Sequence, residues 1–169
     1  MDFIREVLGK ISHISREEAK KGKLPMVTAF SNPLDQEVII SLDHRDEGTV
    51  LDHSVMCGIR EVAKREQERR DGIAQGKIDG KDRPETYLCL DFEIYTTHEP
   101  CSMCAMALIH SRVKRCIFLR PMDETGCLKP SSGDKYCMHS NRELNSKYEV
   151  FQWIGDGFTV PDVDHKTCC

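Results

Sequence analysis

Phe3, Ile4, Val7, Leu8, Ile11 and Ile14 follow i, i+3/i+4 spacing, which keeps apolar side chains on one face of an amphipathic helix. "KKGK" at 20–23 places lysines and a glycine where such a helix stops. "PMVTAFSNPLDQEVIISLDH" reads as two short strands, and "SNPLD" is the turn between them. Leu51, Val55, Ile59 and Val62 then share one helical stripe, which runs out in "KREQERR" and is expected to end at Asp71-Gly72. Residues 71–86, with three glycines and a proline, read as a loop. In "YLCLDFEIYTT", Leu90, Phe92 and Ile94 alternate with Asp91 and Glu93, the pattern of a strand. Pro100 is expected to open a helix through "CSMCAMALIHSR", followed by a strand at "KRCIFL". Residues 121–147 are turn-rich with room for a short helix, and "YEVFQWI" is a last strand. The order α-β-β-α-β-α-β-(α)-β predicts a three-layer α/β/α architecture around a mixed five-stranded sheet. The 169 residues fit a single domain over 1–169.

Composition narrows the picture. Charged residues are 31% and hydrophobic residues 39%, as in ordinary globular domains. A net charge of −4 excludes a global basic field, so nucleic-acid binding would rest on local patches or on a partner. The first residues lack the apolar run of a secretory signal, and no stretch is long enough to cross a membrane. Nine cysteines, an odd number, argue against a disulfide framework and for reduced thiols, hence nucleus or cytoplasm. Cys57, Cys89, Cys116, Cys127 and Cys137 are expected to be small core residues.

Chemistry concentrates at "LDHSVMCGIREV" and "THEPCSMCAMALIHSRVKRCIFL". Cys101 and Cys104 are three apart at a helix start, so both thiols point to one side. A helix N-terminus favours thiolates there. With His53 at the front of the other helix, they make the three-ligand set of a catalytic Zn²⁺. A lone C-x-x-C also suits a redox pair; the Pro-Cys-x-x-Cys context and the earlier histidine favour metal. H-x-E with P-C-x-x-C marks zinc nucleobase deaminases, whose glutamate moves the protons. Here that position is Val55, which can move none. Glu99 is the nearest replacement, while Glu61 lies two helical turns from His53.

"LDHSVM", "TTHEPCSMCAMALIHSRVKR" and "LNSKYEVFQWIG" resemble the deaminase domain of the non-catalytic subunits of eukaryotic heterodimeric tRNA wobble adenosine deaminases. Fungal members are most alike, down to the terminal "CC". The resemblance covers about residues 24–169 and implies a cytidine-deaminase-like fold. It also implies zinc at His53, Cys101 and Cys104, a valine at position 55, and a partner subunit with an intact H-x-E motif. Members of the family carry a further N-terminal tRNA-binding domain, which this chain is expected to lack.

A catalytic zinc leaves one position open. Cys168 or Cys169 of the tail can fill it; the plain alternative is a frayed terminus. Arg112, Lys114, Arg115 and Arg120 are expected to cluster beyond the second motif helix, with the first three as candidate RNA contacts or simply solvated charges. Lys64, Arg65, Arg69 and Arg70, interleaved with acids, read as a solvated helix face. His110 is read as surface, and Phe151 and Trp153 as core or interface. The leading expectation is a zinc-binding, catalytically silent subunit acting on tRNA through its partner. The rivals are an active deaminase with an unconventional base and a free-standing structural zinc module.

Overall fold

The computed structural model describes residues 2–34, 36–79, 87–133, 135–164 and 166–169. The N-terminal helix α1 spans Asp2–Lys20, and its Val7, Leu8 and Ile11 are buried. Gly22, in the left-handed region at φ 75°, turns the chain toward the sheet, a conformation glycine adopts without steric cost. Strands β1 (Val27–Ser31) and β2 (Val38–Leu42) form the expected antiparallel hairpin. Helix α2 covers Ser54–Ala74, β3 Glu93–His98, α3 Ser102–His110, β4 Arg115–Arg120 and β5 Glu149–Gln152, with a 3₁₀ turn at Met138–Ser140.

The sheet order is β2-β1-β3-β4-β5. β1 runs antiparallel to both neighbours, while β3, β4 and β5 are mutually parallel. Side chains alternate across a strand, and the two faces divide accordingly. Val27, Ala29, Tyr95, Ile117 and Leu119 pack with Val7, Leu8 and Ile11 of α1. Phe30, Ile94, Cys116 and Phe118 pack on the other face with Val55 and Val62 of α2 and Leu108 of α3. This is the three-layer, mixed five-stranded arrangement read from the sequence.

Four boundaries differ from the sequence reading. Leu51 is exposed, because α2 begins only at Ser54. Gly72 does not end α2, which continues to Ala74; the left-handed turn falls at Gly76, φ 68°. A Cβ on Gly72 would lie 2.7 Å from Ile78 Cδ1, so close packing accounts for that glycine better than a helix stop. Residues 80–86 of the expected loop lie outside the described residues. Leu90 and Asp91 precede β3 in a turn, where Leu88 and Asp91 take positive φ. Pro100 lies just before α3, with Cys101 as its N-cap.

Candidate metal centre

α2 follows β2 and α3 follows β3, and these two strands run the same way. Both helix N-termini therefore lie at the carboxyl end of the sheet, where α/β folds place their sites. His53 is the N-cap of α2 and Cys101 the N-cap of α3; both have extended backbones, and neither side chain caps its own helix. The start of α2 is tied to the sheet by hydroxyls. Ser54 Oγ lies 2.8 Å from Thr28 Oγ1, which donates to Thr96 Oγ1 at 3.3 Å. The preceding loop is closed by Asp52, which accepts from the Thr49 amide at 2.6 Å and pairs with Arg60. Those two donors hold the Asp52 carboxyl below its usual range, the amide contributing most.

The result is a buried triad. His53 Nδ1 lies 3.5 Å from Cys104 Sγ and 3.8 Å from Cys101 Sγ. All three donor atoms fall within 4.8 Å of one another. Bonds of about 2.0–2.3 Å at tetrahedral angles put zinc ligands roughly 3.5–3.8 Å apart, so the spacing fits a metal. The Cys101 thiol is held down at about 4, first by its hydrogen bond with Cys104 and then by His53. Cys104 moves up, through the same pairing and burial. His53 is raised by its bond to Cys101.

Beside the triad lies a cavity of about 340 Å³ lined by His53, Cys101, Ser102, Met103, Glu124, Thr125 and Cys168. The tail reaches this cavity on specific bonds. The Pro161 carbonyl lies 3.2 Å from His98 Nε2, and Thr125 Oγ1 donates to the Thr167 carbonyl at 2.9 Å. Arg120 pairs with Asp162. The Cys101 amide donates to the Cys169 main-chain oxygen at 2.8 Å. The frayed-terminus expectation therefore does not hold. The two tail cysteines also part company: Cys168 borders the cavity, whereas Cys169 is buried with Met26 and Met122. Among the described residues, only the donor atoms of His53, Cys101 and Cys104 lie within 4.8 Å of one another, and neither tail thiol joins that group.

Val55 is 1% exposed, packed in the core between sheet and motif helices rather than lining the cavity. Glu99 is fully buried, and its carboxylate is taken. Oε1 accepts from the Leu128 and Lys129 amides at 2.8 and 3.0 Å. Oε2 accepts from the Met122 amide at 3.0 Å and Ser132 Oγ at 2.7 Å. With four donors on it, Glu99 latches the loop and is not available as a substitute base. Glu61 pairs with Arg65 at 2.8 Å and does not line the cavity.

The basic cluster separates. Arg120 is at the opposite end of the six-residue β4 from Arg112, Lys114 and Arg115, roughly 17 Å away at strand rise. Arg115 is half-buried and pairs with Glu93 at 3.1 Å. Arg112 and Lys114 are exposed, as is His110. The α2 charges pair among themselves, including Arg69–Glu66 at 2.8 Å and Arg70–Glu66 at 3.0 Å. Cys89, Cys116 and Cys127 are buried, while Cys57 and Cys137 are only half-buried; no disulfide is present. Phe151 is exposed, and Trp153 packs against Phe158 with the two rings tilted by 60°.

Sequence reasoning missed Glu124 and Thr125 at the cavity, and Arg45. Asp43 grips the Arg45 guanidinium, with Nη2 at 2.7 Å, and Arg45 lowers His53 electrostatically. Asp43 and Arg45 stand two apart in a loop, and that spacing carries no signal of this role.

The profile of the cytidine and deoxycytidylate deaminase zinc-binding region matches residues 4–120. The chain belongs to this deaminase family. It is 46% identical over 173 residues to the tRNA-specific adenosine deaminase subunit TAD3 of Saccharomyces cerevisiae, covering 100% of this chain and 51% of that protein. It is 31% identical over 130 residues to the "probable inactive tRNA-specific adenosine deaminase-like protein 3" of Danio rerio, covering 71% of this chain and 37% of that protein. The chain therefore spans about half the length, or less, of these curated relatives. A solved structure from studies of tRNA wobble-position A-to-I deaminases superposes with a TM-score of 0.58 at 20% identity, covering 88% of this chain and 98% of that one. That likeness bears on the deaminase fold alone.

Proposed function

We propose that this chain is a zinc-binding, catalytically silent subunit of a tRNA adenosine deaminase. It works beside a catalytic subunit carrying an intact H-x-E motif, and together they turn wobble adenosine into inosine. The observation that carries this reading is Val55. It stands two residues after the ligand histidine and is 1% exposed, with no atom that can take or give a proton. A positioned acid–base group supplies about 10²–10⁴ in rate, and Glu99 cannot supply it from inside its four hydrogen bonds. The relatives named as a deaminase subunit and as probable inactive proteins support the same conclusion.

His53 Nδ1 and the thiols of Cys101 and Cys104 hold the zinc, and Cys168 closes its remaining side. Zinc in this class makes a bound water acidic when a position is open. In this chain it ties the starts of α2 and α3 together, since metal affinity becomes folding free energy. The catalytic partner seats on the motif helices, where Met56, Ile59, Met103 and Met106 are only partly buried. Methionines adapt to such contacts. The absence of disulfides supports a reducing compartment, nucleus or cytoplasm.

The test is inosine formation on a wobble-adenosine tRNA by the zinc-loaded chain, by a catalytic H-x-E subunit, and by the two combined. Turnover is expected only when the catalytic subunit is present, and greatest when both are. Turnover by this chain alone would refute the reading and point to Glu124, the carboxylate lining the cavity.

A further inference from the structure

The corner where α3 ends has a construction that the metal centre does not explain. Arg112 sits at φ 58°, in the position after the helix cap that glycine normally takes. Its amide donates to the Ile109 carbonyl at 3.0 Å, and the Val113 amide to Leu108 at 3.4 Å. Its carbonyl accepts from Asp91 at 3.2 Å, and the Cys89 amide donates to Ser111 at 3.2 Å. The turn containing Tyr87 is thereby fastened to the end of α3. The Arg112 guanidinium lies over the Tyr87 ring, 5.1 Å from its centroid, and Tyr87 is 56% exposed.

This pair borders a cavity of about 400 Å³, whose rim also carries His110, Glu143, Asn145 and Ser146. That volume lies within the range of small-ligand pockets, about 300–1,000 Å³. Lys114 and Lys147, close in sequence to the lining residues Arg112 and Ser146, are exposed. Among the described residues, Arg112, Lys114 and Lys147 make no ion pair, whereas the basic run of α2 is neutralised by its own glutamates. An aromatic ring with a guanidinium over it, polar edges and cations without ion pairs are what unpaired RNA bases require. A protein interface would instead deplete charge at its centre. Glu143 at the rim limits the phosphate attraction to a few contacts.

We propose that this corner binds one unpaired nucleotide of an RNA loop, its base stacked on the Tyr87–Arg112 pair and its phosphates met by Lys114 and Lys147. The proposal rests on the RNA-directed function above. The site lies at the far end of α3 from Cys101, about 14 Å away by helical rise, and is separate from the metal centre.

The test uses the complex of this chain with a catalytic H-x-E subunit, measuring tRNA affinity by anisotropy together with kcat and KM for inosine formation. Arg112→Gly removes the guanidinium from a backbone glycine tolerates, so the fold is spared. Arg112→Gly and Tyr87→Ala are expected to weaken tRNA binding about five- to a hundredfold, raising KM with kcat unchanged. Tyr87→Phe keeps the platform and stays within twofold of wild type. Lys114→Ala lowers the salt slope by about 0.7, one single-strand phosphate contact. Wild-type affinity in both disruptive variants, within an active complex, overturns the proposal. So does loss of heterodimer assembly in Arg112→Gly, which assigns the corner to a protein contact. A wild-type complex that neither binds nor edits tRNA refutes the functional reading itself, and the proposal with it.

Discussion

Replacing Glu99 tests whether the wall of the metal cavity is held by one carboxylate. Glu99 is fully buried and accepts four hydrogen bonds from Met122, Leu128, Lys129 and Ser132. Glu99→Gln places an NH₂ group where one oxygen stood. At Oε1 it would face two amide donors; at Oε2 it would face one, because the Ser132 hydroxyl can rotate to accept. The better arrangement still loses the Met122 bond and the charge on the other acceptors. A hydrogen bond to a charged group contributes about 1.5–3 kcal/mol, and an unpaired buried amide costs about 1–3. Relief from burying a charge offsets part of this. The expected loss is about 2–3 kcal/mol for Glu99→Gln and 4 or more for Glu99→Ala, read as the shift in urea denaturation at constant m-value. Glu61→Gln, the same charge change on an exposed helix, should stay within about 0.5 kcal/mol. Thr125 on this loop holds the tail through Thr167, so hydrogen exchange should quicken over 122–132 and in the tail together. A loss below about 1 kcal/mol with unchanged exchange would refute the latch. Gly126→Ala offers an independent check, since its Cβ would fall 2.5 Å from Glu99 Oε2 and 2.7 Å from the Met122 carbonyl.

Val55→Glu should not create an enzyme: it buries a carboxylate in the core, at a cost of roughly 3 kcal/mol or more, with Cys168 at the cavity, and inosine formed by the chain alone would contradict this. Cys168→Ser should lower the zinc–sulfur count in X-ray absorption from about three to about two, as expected for closure by a third thiolate; an unchanged count would remove Cys168 from the ligand set. Burial lowers His98 from 6.5 to about 4, so the folded state binds fewer protons than the unfolded state between those values. Stability is then full above about 6.5 and falls as pH drops toward 4, by about 2 kcal/mol between pH 7 and pH 5. His98→Gln should lose that part of the pH dependence in urea titrations, and an identical pH profile would show that His98 is not its source.

Elements with a strong local period were legible in the sequence: α1, the β1–β2 hairpin, and the two motif helices carrying His53, Cys101 and Cys104. The departures have local physical causes. The alternation of Leu90, Phe92 and Ile94 suggested a longer β3, but Leu88 and Asp91 adopt left-handed backbones that tie the segment to the end of α3. Gly72 resembled a helix stop because a glycine needed for close packing against Ile78 has the same letter as one needed for a turn. The path of the tail had no periodic signal at all. It is set by contacts across the chain, from His98, Arg120, Thr125 and Cys101, and only the two cysteines at its end pointed to the metal centre.

The same geometry explains how the candidate metal ligands and the position of a proton-moving residue can be separated. His53 and Cys101 are placed by the starts of two helices, and those starts are fixed by Thr28, Ser54 and Thr96 on one side and by Glu99 and its loop on the other. No donor depends on the side chain at position 55, whose direction into the core follows from its place one residue inside α2. A glutamate there would have to be kept against the cost of burying its charge, and only catalysis would repay it. Without that demand, valine packs the same helix against the same sheet and leaves the ligand set intact. A silent site of this kind should therefore keep its metal and its Glu99 latch while its cavity wall, Glu124 and Thr125, and its tail are free to serve closure instead of substrate entry.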